Sequence, residues 1–127
     1  MVVDANVLAA YFLERGPKHE SARSCLGSMS TWTAPSLWRT ELLSILRKYR
    51  RATDLGREAA LIVMAEAEHA ISVPPVHDPG LILDLSEATG CTVYDAEYVA
   101  TAVLLGLRLV TFDRFLLRTF PLVAVEP

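Results

Sequence analysis

Apolar residues recur along the chain with two periods, and the switches between them set out a series of strands and helices. Residues 1–4, MVVD, read as a short buried strand, and ANVLAAYFLE over 5–14 has helical spacing until Gly16-Pro17 ends it. Residues 18–26 form a second helix closed by Gly27, and STWTAP over 30–35 alternates as a strand before Ser36 offers an N-cap. The pattern from Leu37 to Arg51 is helical, and Thr53-Asp54 caps another helix running to about His69, so the two form a hairpin. Pro74, Pro75, Pro79 and Gly80 mark the main loop, because proline cannot continue a helix and disfavours one at the residue before it. LILDLSEAT (81–89) is then helical up to Gly90, and YDAEYVATAVLL (94–105) up to Gly106. LRLVT (107–111) is a strand, DRFLLRTF (113–120) a short helix and LVAV (122–125) a last strand.

Strands alternating with helices predict an α/β fold, a central mostly parallel sheet flanked by helices on both faces, with polar sites at the carboxyl ends of the strands. A length of 127 residues suits one domain spanning 1–127, and 52% hydrophobic against 21% charged residues excludes a disordered chain. No apolar run approaches the roughly 20 residues that cross a bilayer, and the N-terminus lacks the pattern of a signal peptide. A cytoplasmic protein with no membrane contact is expected. Cys25 and Cys91 suggest neither a disulfide framework nor a zinc site and read as buried small apolar residues.

The candidate chemistry lies in four carboxylates. Asp4 and Asp113 each follow an apolar strand and precede a helix, where Asp is also a good N-cap. Asp95 closes Thr92-Val93-Tyr94-Asp95, which matches a capping box. Glu41 resists such an explanation: helical projection puts it between Leu37, Trp38 and Ile45 on the apolar stripe, with no Lys or Arg at helical spacing on that face. Burying an unpaired carboxylate costs roughly several kcal/mol unless a partner or a metal offsets it. Hard divalent cations such as Mg2+ and Mn2+ take oxygen ligands, and four acids can hold one or two of them. A net charge of −3 opposes RNA binding unless acids gather at one site where bound cations reverse the local sign.

Four blocks, MVVDANVL, TELLSIL, YDAEYVATA and LVTFD, together resemble the PIN-domain nucleases over nearly the whole chain, from Met1 to about Val125. That resemblance implies a PIN-like sheet sandwich, ligation of Mg2+ or Mn2+ by Asp4, Glu41, Asp95 and Asp113, and supporting polar roles for Asn6 and Thr111. In similar proteins the position of Asn6 is often Ser or Thr, so its role rests on hydrogen-bonding capacity. Small size, the absence of an appended domain and the long helical hairpin resemble the VapC-type toxins of toxin-antitoxin pairs. This implies an endoribonuclease that forms a homodimer and is inhibited by a small cognate antitoxin that binds the hairpin groove and reaches the acidic site, where a basic residue could pair with it. The hairpin's apolar positions, Leu42, Leu43, Leu46, Leu55, Ile62, Val63 and Met64, are more than one small core can bury on both sides of two long helices, so some of this surface is expected to be an exposed interface.

For the RNA substrate, Arg114 and Arg118, one helical turn apart beside Asp113, are the best-placed phosphate contacts. Arg47 and Lys48 belong to a basic cluster that could track a backbone with Tyr49 stacking, or could simply complement the helix dipole. Glu97 lies about 200° around the helix from Asp95 and is expected to face away from the site. The rivals are a PIN-like RNA- or protein-binding module without catalysis and an aspartate-based phosphatase or receiver domain. The last two use a late lysine, whereas the only lysines here are Lys18 and Lys48.

Overall fold

Very short strands carry the fold, each held between longer helices. The computed structural model describes residues 1–13, 15–29 and 31–127. In chain order the elements are β1 (Val2–Val3), α1 (Ala5–Phe12), α2 (Pro17–Leu26), β2 (Trp32–Thr33), α3 (Trp38–Ala52) and α4 (Arg57–Ala70). Then come β3 (Ile71–Ser72), α5 (Pro79–Thr89), α6 (Val93–Leu105), β4 (Leu109–Val110), α7 (Arg114–Thr119) and β5 (Ala124–Val125). Glu14 and Ser30, expected to end the first helix and open the second strand, lie outside the described residues.

The strands pair in the order β3-β2-β1-β4-β5, and every pairing is parallel, so the sheet expected to be mostly parallel is wholly so among the described residues. β1 is central, with Val2 opposite both Thr33 and Leu109. From β1 the chain steps outward to β2 and β3, then crosses back to β4 and on to β5. Right-handed crossovers therefore put α1 to α4 on one face and α5 to α7 on the other, in agreement with the packing of α1 on α2 and α3, α3 on α4, and α5 on α6. The direction of winding reverses between β1 and β4. Their carboxyl ends splay the following helices apart and open the crevice in which such folds place their sites.

Val2, Val3, Leu109 and Val110 are fully buried, as strands covered on both faces require. Gly90 and Gly106 end α5 and α6 with φ of 76° and 63°, the left-handed conformation that a side chain disfavours. Cys91 is buried as expected, while Cys25 is half-buried; both are free thiols.

Several boundaries differ from expectation. β3 directly follows α4 and has no signature of its own, because two residues carry no periodicity; only the register of Trp32 with Ile71 and Thr33 with Ser72 defines it. Pro79 and Gly80 belong to α5, not to the loop, since Pro79 occupies the first turn and Asp78 caps it by accepting from Leu81 N. Pro17 likewise opens α2. Neither Ser36 nor Thr53-Asp54 caps a helix: α3 starts after Leu37 and α4 after Gly56, both without a side-chain cap. The Thr53 hydroxyl instead donates back to Tyr49 O at 2.7 Å and closes α3.

The α3–α4 hairpin is present, locked across its open end by Arg39 and Glu68, whose paired bonds are 2.5 and 2.8 Å. Its apolar positions divide. Leu42 and Leu46 are buried, and Leu55, Val63 and Met64 pack against the core, so Met64 is not the surface residue that its place in the pattern suggested. Leu43, Leu61 and Ile62 are the exposed ones. Leu42→Ala is expected to cost about 2–5 kcal/mol in urea unfolding followed by circular dichroism. Ile62→Ala, at a position 58% exposed, should stay within about 0.5 kcal/mol. Equal losses at both positions would contradict this division.

Candidate active site

At the switch point, the ends of β1 and β4 are tied together by side chains. The Thr111 hydroxyl donates to Asp4 Oδ2 at 2.6 Å and accepts from Asn6 Nδ2 at 3.2 Å and Asp113 N at 3.0 Å. A hydroxyl has one proton and two lone pairs, so this one is saturated. Asn6 completes the bridge: its Nδ2 also donates to Asp4 Oδ2 at 2.8 Å, and its Oδ1 accepts from Phe112 N at 3.2 Å. The amide orientation follows from that last bond, since only the oxygen can accept. Asn6 and Thr111 thus both bond to Asp4 and to each other.

The capping explanations hold in part. Asp113 Oδ1 caps α7, accepting from Phe115 N at 2.7 Å and Leu116 N at 3.1 Å. No bond among the described residues reaches its Oδ2. Asp4 gives Oδ2 to the Thr111–Asn6 network, while Oδ1 accepts a single long bond from Asn6 N at 3.4 Å. Asp113 therefore commits one oxygen to the scaffold and keeps the other available, whereas Asp4 has both oxygens engaged, Oδ1 only by that one long bond. At the start of α6 the cap is Thr92, whose hydroxyl accepts from Asp95 N at 3.1 Å; the reciprocal bond, Thr92 N donating to the Asp95 carboxylate, is not formed among the described residues. Glu41, in the first turn of α3, is half-buried beside fully buried Trp38, as its place on the apolar stripe implied.

The four acids act on one another. Burial first, then the charges of Asp95 and Asp113, push Asp4 up to about 6 against the bonds from Thr111 and Asn6. Burial, then Asp4, Asp95 and Glu97, push Glu41 up to about 7, with Tyr98 opposing. Asp95 is raised by burial and by Asp113, with Thr92 opposing. None of the four has an ion-pair partner among the described residues. All four stand at the start of a helix, where the dipole offsets part of their repulsion.

Two nearby groups escaped sequence reasoning. Glu97 does not face away: its charge reaches Glu41, and its Oε1 is 3.8 Å from His77 Nδ1 in the proline-rich loop. Glu97 lines a hollow shared with Pro35 and Ser36, just before α3, which the helical angle from Asp95 alone does not reveal. Lys18 Nζ sits 5.2 Å from the ring centre of Phe112, between Thr111 and Asp113, and brings a cation to the rim. Neither residue has a local pattern that could reveal this. Among the other expected residues, Arg114 and Arg118 are exposed on α7 beside Asp113. Arg47 and Lys48 are exposed on α3 about two turns beyond Glu41. Tyr49 is not free to stack, because it is half-buried and its hydroxyl donates to Leu13 O at 3.2 Å.

A parallel sheet in this order, with carboxylates at its switch point, is the frame of one class of protein. The family model for the PIN domain matches residues 1–119, and the chain belongs to that family. It is 32% identical to Ribonuclease VapC3 of Pyrobaculum aerophilum over 95% of each chain. It is also similar to a solved structure, "Crystal Structure of PAE2754 from Pyrobaculum aerophilum", with a TM-score of 0.74 and 26% identity, covering 98% of this chain and 87% of that one.

An acid whose pKa is higher in the folded than in the unfolded chain stabilises the fold while protonated. That contribution is complete below the ordinary values of 3.8 and 4.5 and is lost as pH rises through about 6 for Asp4 and about 7 for Glu41. In chelator, thermal unfolding should therefore show stability falling as pH rises across this window. Glu41→Gln should reduce the fall by on the order of 1–2 kcal/mol, allowing for the solvent that reaches this side chain. An unchanged pH profile in the variant would contradict the repulsive cluster.

Proposed function

We propose that residues 1–127 act as one nuclease domain, an endoribonuclease dependent on Mg2+ or Mn2+, and that it is the toxin of a toxin-antitoxin pair in the cytoplasm. The observation that carries the reading is the convergence of Asp4, Glu41, Asp95 and Asp113 without a basic partner, in a chain similar to a ribonuclease. Hard oxygen donors gathered in this way, with Asp4, Glu41 and Asp95 pushed up by burial and by neighbouring carboxylates, suit a divalent cation. As the side chains lie, no three His, Cys, Asp or Glu residues among those described close into a coordination shell. Rotation of the carboxylates is part of the reading; Asp113 has an unbonded oxygen and Asp4 has one held only by a single long bond.

A divalent ion held there supplies Lewis acidity, activating water and stabilising charge on the phosphate. The chain's own contribution is positional. Thr111 and Asn6 hold Asp4 against β4, and the cap on α7 holds Asp113. Arg114 and Arg118 meet the RNA phosphates at the rim, with Arg47 and Lys48 as more distant contacts. No side-chain nucleophile is needed to hydrolyse the phosphodiester bond.

The partner reading rests on the hairpin. A groove of about 440 Å3 between α3 and α4 is lined by Leu43, Leu61, Arg47, Arg50, Arg51 and Arg57. Its apolar floor and arginines suit an acidic amphipathic segment of a small antitoxin, and a homodimer of the toxin would cover further apolar surface.

Purified protein should cut RNA only with Mg2+ or Mn2+, and Asp95→Asn should lower the rate at least about 100-fold while its melting temperature without metal stays equal or rises. Undiminished cleavage in excess chelator would sink the mechanism. Leu61→Glu should weaken capture of the product of an adjacent small reading frame about tenfold or more while leaving cleavage intact. Light scattering then decides the dimer, and a strict monomer that binds no small partner leaves only the nuclease reading.

A further inference from the structure

Tyr98 lies on α6 one helical turn after Asp95, on the same side of the helix. Its side chain is 1% exposed and packs in the main core, yet its hydroxyl has no hydrogen-bond partner. Only one other buried side-chain donor among the described residues, Trp38 Nε1, is in that position. A phenylalanine would fill the same volume without leaving a polar atom unpaired, so the hydroxyl is a cost to the fold unless another state uses it. Its surroundings indicate that use. The oxygen lies beside the Glu41 carboxylate and the Ala5 N–H, within reach of the charges of Asp4 and Glu97, where α6, α3 and the start of α1 meet. Of these neighbours only the carboxylates accept a proton, and Glu41 comes first.

We propose that Tyr98 is a positioning residue whose hydroxyl donates to one oxygen of Glu41, so that the other oxygen is presented to the divalent cation. The proposal rests on the metal-dependent reading above and deepens it. In the geometry described, the hydroxyl forms no well-directed bond, yet it lies close enough to the carboxylate to oppose the rise in its pKa. Rotation of Glu41 toward a cation completes that bond and satisfies the orphaned donor. Outer hydrogen bonds of this kind orient a ligand and tune its affinity for the ion.

The test is Mn2+ binding to the full chain, followed by water-proton relaxation, for wild type, Asp95→Asn, Tyr98→Phe, Glu41→Gln and the Tyr98→Phe/Glu41→Gln double variant. Tyr98→Phe should weaken Mn2+ about tenfold, while its melting temperature without metal is equal or higher. In the Glu41→Gln background the same change should add little, because the tyrosine acts through that carboxylate. If wild type itself binds no Mn2+, the metal-dependent reading fails and this proposal with it. If wild type binds, Asp95→Asn does not, and Tyr98→Phe matches wild type, the proposal alone is overturned. A full additive loss in the double variant overturns the route through Glu41. A Tyr98→Phe protein that does not fold overturns the proposal as well, since the hydroxyl is then a structural bond.

Discussion

Like charges gathered at one edge of a sheet must be held there against their mutual repulsion, and the hydroxyl of Thr111 is at the centre of what holds them. It joins the end of β1 to the end of β4 through Asp4, Asn6 and the backbone before α7. These strands flank the point where the winding of the sheet reverses, so the crevice between them has no helix across it. The same reversal aims the starts of α1 and α7 into the crevice from two sides. Repulsion among the carboxylates is therefore a consequence of the topology, and the hydrogen bonds from Thr111, Asn6 and Thr92 together with the helix dipoles offset part of it.

The length of α3 also separates two electrostatic surfaces. Acids collect where α1, α3, α6 and α7 begin, while arginines collect where α3 ends and α4 starts. α3 spans both, with Glu41 in its first turn and Arg50 and Arg51 in its last. A chain of net charge −3 thus presents a cationic groove and an anionic crevice at opposite ends of one helix. Overall charge is a poor guide to such a protein's partners, because each partner responds to the local field within about a Debye length of its own site.

Much of this was legible beforehand. Glu41 stood out because a carboxylate on an apolar stripe has no cheap structural explanation, and it is the acid pushed highest, to about 7. Asp4, Asp95 and Asp113 were ambiguous singly, and the structure shows why: Asp4 and Asp113 do bond helix starts, using one oxygen each. Capping and site-building are not alternatives for a side chain with two oxygens. The readings that failed were those in which pattern stood in for contact. Met64 follows the same apolar pattern as exposed Ile62 and yet packs against the core, because the two-residue step of about 200° between them turns one toward the protein and the other toward solvent.

By itself the sequence determined the alternation of strands and helices, the glycine ends of α5 and α6, and the four acids, because each depends on local periodicity, backbone sterics or residue type. Tertiary structure alone decided what depends on distance between segments far apart in the chain. β3 exists only through its register with β2. Glu97 joins the acids because α6 and α3 meet across the crevice, and Thr111 reaches Asp4 across 107 positions of sequence. The unpaired hydroxyl of Tyr98 belongs to the same group. Its residue type reads as ordinary core, and only the approach of α6 to the starts of α1 and α3 at the crevice brings a buried donor beside Glu41 with no bond among the described residues to satisfy it.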